Sequence, residues 1–289
     1  MRDLLERRLK ERKIILAPGI YDALTATIAT DAGAEVLYLS GAGIAYTRLG
    51  RPDIGLVTLS EVVDTAMLVR DRVSTPLIVD VDTGYGNALN VERTVRLIER
   101  AGASGLQLED QIFPKRCGHL SEKRLVPATE MVGKIKAASD ARTKRDTLII
   151  ARTDAIAVEG LAAALDRAEA YREAGADVLF VEAPGSREEL AHISDLIGKN
   201  IPLMANMVEG GRTPLLSATE LEEMGFALVI FPGGVVRNLA FAARAYYERL
   251  LMDGTTALQR DRMLDFDALN QLLGTRELLR RGKHFESGS

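Results

Sequence analysis

A short apolar run, closed by a glycine, asparagine or acidic residue and followed by a longer helical pattern, recurs eight times along this chain of 289 residues. The runs fall at 14–17, 36–39, 77–79, 105–108, 148–151, 178–181, 203–205 and 228–231. They are almost continuously apolar and rich in Val, Ile and Leu, as strands covered on both faces must be. The segments between them, among them VERTVRLIERAG and LAAALDRAEAYREAG, place apolar residues three or four apart, which lays one helical face on a sheet. Gly33, Gly102, Gly175 and Gly225 stand where a helix needs a C-cap, and Ser217 with Glu220 has the spacing of a capping box. Eight such units in one chain predict an α/β protein, a closed (β/α)8 TIM barrel in preference to an open doubly wound sheet.

The remainder is read around that barrel. Residues 1–13 form a charged amphipathic opening, expected as a short helix. A long apolar helix over 236–251 and further helical sequence over 255–285 exceed what a minimal barrel needs. Such surplus apolar helix is commonly buried against another subunit. The whole of 1–289 is expected as a single barrel domain, with 235–289 packed between subunits.

Composition narrows the function. A formal charge of −4 disfavours nucleic acid or an anionic membrane as the main partner. No apolar run approaches the roughly 20 residues that cross a bilayer, and the amino terminus lacks a signal-peptide layout. A single cysteine fits a reducing, cytoplasmic setting. Ser40-Gly41-Ala42-Gly43 is glycine-rich but lacks dinucleotide or P-loop spacing; its economical use is to cradle one carboxylate or phosphate.

Chemistry concentrates at the carboxyl ends of the expected strands. Asp80 and Asp82 close the third run, on one face if strand alternation holds. Glu109 closes the fourth. Three hard oxygen donors of this kind suit Mg²⁺, with Mn²⁺ as a substitute. Arg152, Glu182 and Asn206 end the next three runs and would face the same central mouth, where the arginine can hold a carboxylate by two hydrogen bonds. The fourth run opens into a loop holding Lys115, Arg116, Cys117, Gly118 and His119. Cations beside a thiol lower its pKa and raise its reactivity. His119 could bind an anion or orient a glutamate.

These residues resemble those of the isocitrate lyase and phosphoenolpyruvate mutase superfamily. KRCGH at 115–119 is the hallmark. YLSGAG at 38–43, DVDTGYGN at 80–87, LED at 108–110, ARTDA at 151–155, VEA at 181–183 and ANM at 205–207 follow the family order. The resemblance implies a Mg²⁺-dependent barrel whose last helix is exchanged within a dimer, two dimers forming a tetramer. Ser40, Gly41 and Ala42 would hold one carboxylate of a small acid. Asp80, Asp82 and Glu109 would hold the metal, largely through water. Arg152 would bind the reacting oxygen, and Glu182 and Asn206 the distal carboxylate. Thr213 lies in a further substrate loop, and Pro232 at the eighth strand end. Lys115–His119 would form the gate.

For the lyase branch the resemblance implies retro-aldol cleavage of a 2-hydroxy dicarboxylate or tricarboxylate. Cys117 would protonate the departing carbanion, and Tyr38 would serve on the base side with help from Arg152. Phosphonomutases (phosphoenolpyruvate or carboxyphosphonoenolpyruvate type) and oxaloacetate decarboxylases or acetylhydrolases share most of this set. Leu120-Ser121-Glu122-Lys123 and Phe231-Pro232-Gly233-Gly234 depart from methylisocitrate lyase patterns and favour a smaller substituted malate such as 2,3-dimethylmalate.

Overall fold

The structure is a computed structural model that describes residues 1–118 and 122–286. Its strands are β1 (Ile15–Ile20), β2 (Leu37–Leu39), β3 (Leu77–Asp80), β4 (Gly105–Glu109), β5 (Leu148–Thr153), β6 (Val178–Val181), β7 (Met204–Asn206) and β8 (Leu228–Phe231). All neighbouring pairs are parallel, in the order β6-β5-β4-β3-β2-β1-β8-β7. A parallel bridge from Leu179 to Leu203 joins the two ends of that order and closes the barrel.

The expected runs and the observed strands differ at their ends for a physical reason. β5 continues through Arg152 and Thr153, which stay in register with Glu109 of β4 and with Phe180 and Val181 of β6. A polar side chain ends an apolar run but need not end a backbone ladder.

Alternation sorts each strand into two faces. Tyr38, Ile78, Ile150, Val178, Phe180, Met204, Leu228 and Ile230 belong to one buried cluster that fills the barrel. The alternate residues, such as Leu37, Leu39, Val79, Leu106, Leu108 and Ile149, join the larger cluster beneath the helices. Leu5, from the helix Arg2–Glu11, packs into the inner cluster from the amino-terminal end. Counting two residues onward from the inner set reaches Asp80, Arg152, Glu182 and Asn206. The parity that fills the barrel with aliphatic groups therefore delivers polar ones to its carboxyl-terminal mouth.

The helix caps follow the sequence. Gly33, Gly102, Gly175 and Gly225 all have positive φ, and Ser217 exchanges capping hydrogen bonds with Glu220.

The chain divides into two compact units, Met1–Val236 and Arg237–Ser289. The first is the barrel. The second holds most of the helix Gly234–Asp253, then the helices Phe266–Leu273 and Thr275–Glu286, neither of which has a buried residue. Phe241, Leu251 and Phe266 are more than three-quarters exposed, at 80%, 84% and 83%.

Candidate active site

Asp80, Asp82 and Glu109 each offer a carboxylate oxygen within 4.8 Å of the others, and all three are buried. The route to this cluster differs from simple alternation. β3 stops at Asp80, and Asp82 takes a left-handed conformation with φ +48°. Short polar residues tolerate that region better than most. The turn brings the Asp82 N–H to Asp80 Oδ1 at 3.1 Å, and the Gly41 N–H reaches Asp80 Oδ2 at 3.3 Å. A Cβ on Gly41 would lie 3.2 Å from Asp80 Oδ2 and 3.4 Å from Asp82 Oδ1, so a side chain there would crowd the carboxylates.

Three buried carboxylates repel one another. Burial pushes Asp82 up to about 7, against the pull of Lys115. Burial likewise raises Glu109 well above the usual carboxylate range, against the pull of Arg152. Asp82 Oδ1 lies 2.7 Å from Lys115 Nζ as an ion pair and has no hydrogen bond of good geometry among the described residues. A compact, oxygen-only, over-charged cluster with an unsatisfied acceptor fits a hard divalent cation.

Two cations border the cluster. Lys115 is buried between Asp53 Oδ1 at 2.6 Å and Asp82 Oδ1 at 2.7 Å. Burial alone would lower its pKa, but Asp82 and Asp53 outweigh burial and hold it charged. Arg152 Nη1 lies 3.4 Å from Glu109 Oε2, Nη2 lies 3.8 Å from Glu182 Oε1, and the guanidinium rests 5.2 Å from the Phe180 ring centre. Its Nε and Nη2 donate to the two oxygens of Asp154 at 2.9 and 3.0 Å.

Gln107 knits the inner wall together. Its amide nitrogen lies 3.4 Å from both Asp80 Oδ1 and Glu109 Oε2, and its oxygen accepts the Tyr38 hydroxyl at 2.5 Å. Burial, reinforced by Asp80, raises the Tyr38 pKa well above that of an ordinary phenol. The base-side role expected of Tyr38 starts from this donor arrangement.

The loop after β4 folds back over this wall. The Cys117 N–H donates to the Asp53 carbonyl at 3.2 Å. A Cβ on Gly118 would fall 2.1 Å from Glu182 Oε1 and 2.5 Å from Arg152 Nη2, so Gly118 sits directly on that pair. Arg116 is a partly exposed residue of this loop. Its guanidinium pairs with Glu122 at 2.7 Å and is 42% exposed, while its backbone is held by Gln111. His119 lies outside the described residues.

Other expected residues are placed as follows. Ser40 Oγ accepts from the Gly43 N–H at 3.1 Å and starts a single helical turn at Gly41 that includes Ala42. The expectation for this segment is an open anion cradle; the Gly41 and Gly43 N–H groups are instead bound within the protein. Asn206 Nδ2 lies 3.2 Å from both Glu182 oxygens, and its own carbonyl oxygen is buried without a partner among the described residues. Thr213 shares with Glu182 and Asn206 a cavity of about 10 Å³, too small for more than one water. Pro232 packs against Gly19, where a Cβ would lie 2.3 Å from its carbonyl oxygen.

Sequence reading missed Asp53, Asp154 and Lys123. Asp53 carried no strand-end signal, being a loop residue in the β2-to-helix connection. Asp154 had a usable one, since a buried arginine needs a carboxylate and the strand end supplies one two residues on. Tyr85 was also missed; its hydroxyl is buried without a partner among the described residues, in the field of Asp82 and Asp80.

Comparison with known proteins agrees with this geometry. The family model described as phosphoenolpyruvate phosphomutase matches residues 5–251. A 2,3-dimethylmalate lyase of Eubacterium barkeri is 44% identical over 284 residues, 98% of this chain and 96% of its own length. A 2-methylisocitrate lyase of Aeropyrum pernix is 43% identical over 278 residues, 96% of this chain and 89% of its own. Among solved structures, a 2,3-dimethylmalate lyase superposes with a TM-score of 0.91 at 38% identity, covering 100% of this chain and 95% of that one. An oxaloacetate acetylhydrolase with the inhibitor 3,3-difluorooxalacetate also gives 0.91, at 35% identity, covering 98% and 96%. The chain therefore belongs to the phosphoenolpyruvate phosphomutase family, within the PEP mutase/isocitrate lyase superfamily.

Proposed function

We propose that this chain is a Mg²⁺-dependent carbon–carbon lyase that cleaves a substituted 2-hydroxy dicarboxylate, of the 2,3-dimethylmalate type, to pyruvate and a carboxylate. The observation that carries this reading is that Gly118, which follows Cys117 in the chain, lies against the Arg152–Glu182 pair. Asp80, Asp82 and Glu109 hold the metal, which when bound supplies electrostatic stabilisation of the negative charge that builds up on substrate oxygens.

The chain's own residues account for the remaining work. Arg152, fixed by Asp154, presents its guanidinium to the C2 oxygen as the hydroxyl proton passes to a water at the mouth and negative charge develops, and solvent returns a proton to Cys117 after product release. The C2–C3 bond breaks, C2 becomes the ketone carbon of pyruvate, and the electron pair passes to C3. The thiol of Cys117 donates its proton to that carbon as general acid. Glu182 and Asn206 orient the distal carboxylate, the unpaired Asn206 oxygen accepting from a substrate or water donor. The loop excludes bulk water, which would otherwise compete for the carbanion.

A dicarboxylate suits the site better than a tricarboxylate. Lys115, Lys123 and Arg152 are each matched to a protein carboxylate, and Arg116 pairs at the surface. The near-complete mutual coverage with a relative named 2,3-dimethylmalate lyase supports the same choice.

Product analysis by proton NMR tests the proposal, with 2,3-dimethylmalate, 2-methylisocitrate, isocitrate and oxaloacetate each incubated with Mg²⁺ and again with EDTA. Pyruvate plus propionate from dimethylmalate, only with metal, is the expected result. Pyruvate plus succinate would move the assignment to 2-methylisocitrate. Oxalate plus acetate from oxaloacetate alone, the outcome that the acetylhydrolase superposition makes worth testing, would overturn it.

In this proposal the enzyme works in the cytoplasm as a homo-oligomer, a dimer of helix-swapped dimers, with no nucleic-acid or membrane partner. Uncovered apolar residues on the last three helices support the oligomer, and among the described residues no helix is long and apolar enough to cross a membrane. Light scattering that returned a monomer would remove the exchange.

A further inference from the structure

We propose that Lys123 is a positioning residue, which fastens the Cys117–Gly118 loop to the barrel-rim arginine through Asp154. Its side chain is 1% exposed and that of Asp154 is fully buried. Lys123 Nζ donates to the Gly118 carbonyl at 2.5 Å and to Asp154 Oδ1 at 2.8 Å. The same Oδ1 accepts Arg152 Nη2 at 3.0 Å, and Oδ2 accepts Arg152 Nε at 2.9 Å. One carboxylate thus joins the loop's ammonium to the guanidinium at the mouth.

The carboxylate is the fixed member of this chain. The Asp154 N–H donates to Asp110 Oδ1 at 2.9 Å, and Asp110 Oδ2 accepts from Thr153 Oγ1 and Tyr171 Oη, both at 2.7 Å. Asp110 and Asp154 are both fully buried. Since the anchor cannot follow the loop, the loop is held to the anchor. Moving Gly118 away would strip a buried ammonium of an acceptor, a costly change where water cannot replace it.

Gly118 closes the circuit from the other side. It has no room for a Cβ against Glu182 and Arg152, so the Lys123 bond to its carbonyl presses the loop onto the very pair that Asp154 steadies. Loop seating and Arg152 orientation are therefore coupled through Lys123, a residue that needs no contact with substrate.

The test uses full-length Lys123→Met, which keeps the stem and removes the charge, and Lys123→Arg, which keeps charge and donors. The first readout is the rate of iodoacetamide alkylation of the Mg²⁺-supplemented protein, which reports on Cys117 because it is the only cysteine. Loss of the fastening is expected to raise that rate about 10-fold or more in Lys123→Met, with the arginine variant close to wild type. The second readout rests on the lyase reading: kcat on 2,3-dimethylmalate falls about 10²-fold with KM changed less than about threefold, and arginine restores most of it.

Unchanged alkylation and turnover in Lys123→Met would overturn the proposal. If that variant does not unfold cooperatively on heating, Lys123→Arg decides, and an arginine variant whose thiol reacts as fast as that of the methionine variant counts against it. If the protein proves not to be a lyase, the kinetic arm is silent and the alkylation rate alone decides.

Discussion

Arg152 and Asp154, two residues apart at the end of β5, hold each other in a two-pronged ion pair with N–O distances of 2.9 and 3.0 Å. Bidentate pairing fixes the plane of the guanidinium as well as its position. Burial would raise the Asp154 pKa, but Arg152 and Lys123 outweigh it and hold the carboxyl at about 2. The arginine that faces the acidic cluster is thus oriented by a carboxylate that stays ionised in any ordinary buffer.

Asp154→Asn is expected to lower stability by about 3–5 kcal/mol, because two buried cations lose their shared partner. The contribution depends on pH with a definite sign. A carboxyl at about 2 in the folded protein, against 3.8 ordinarily, stabilises fully above the unfolded value and loses that stabilisation as pH falls toward 2. Urea unfolding of wild type and variant from neutral pH downward should show the gap between them narrowing below about pH 4. A gap that stays constant into that range would remove the ionised carboxylate from the account.

Gly118→Ala should separate loop seating from folding. The added methyl would lie 2.1 Å from Glu182 Oε1 and 2.5 Å from Arg152 Nη2. The loop lifts or the Glu182 and Arg152 side chains shift, so kcat is expected to drop by about 10²-fold, while the thermal midpoint falls by no more than the loss of the buried Lys123–Gly118 hydrogen bond accounts for, because barrel packing is untouched. Near-normal turnover would show that the loop need not sit on the Arg152–Glu182 pair during the reaction.

Gln107→Leu probes the support of the acidic cluster without removing a carboxylate. Loss of the amide beside Asp80 and Glu109 is expected to weaken Mg²⁺ binding about 10- to 100-fold, as outer partners of metal ligands commonly do. The stranded Tyr38 hydroxyl adds a stability loss of about 1–3 kcal/mol. Calorimetric titration with Mg²⁺ measures the first and chemical denaturation the second. Wild-type affinity for Mg²⁺ would mean that the cluster needs no help from Gln107.

Cys117→Ser should reduce kcat by about 10²- to 10⁴-fold, the usual worth of a general acid, with Mg²⁺ affinity preserved. Stopped turnover with intact metal binding is the expected pattern. Undiminished cleavage would take the thiol out of the reaction and leave the loop only its water-excluding role.

The sequence by itself determined the barrel and most of the residues at its mouth. Eight apolar runs with helices between them leave little alternative to a closed parallel sheet. Period-two alternation then carries Ile78 to Asp80, Ile150 to Arg152 and Met204 to Asn206, so a local rule suffices to put these side chains on one inner face.

Only the tertiary structure decided what those side chains are joined to. Lys115 meets Asp53 across 62 residues, and Lys123 meets Asp154 across 31. Those pairings depend on where two loops fold back, which no periodicity encodes. The left-handed turn at Asp82 and the donor role of Tyr38 belong to the same class. A backbone conformation and a shifted pKa are both set by what surrounds the residue: burial, neighbouring charge and available partners. These come into being only when distant segments pack.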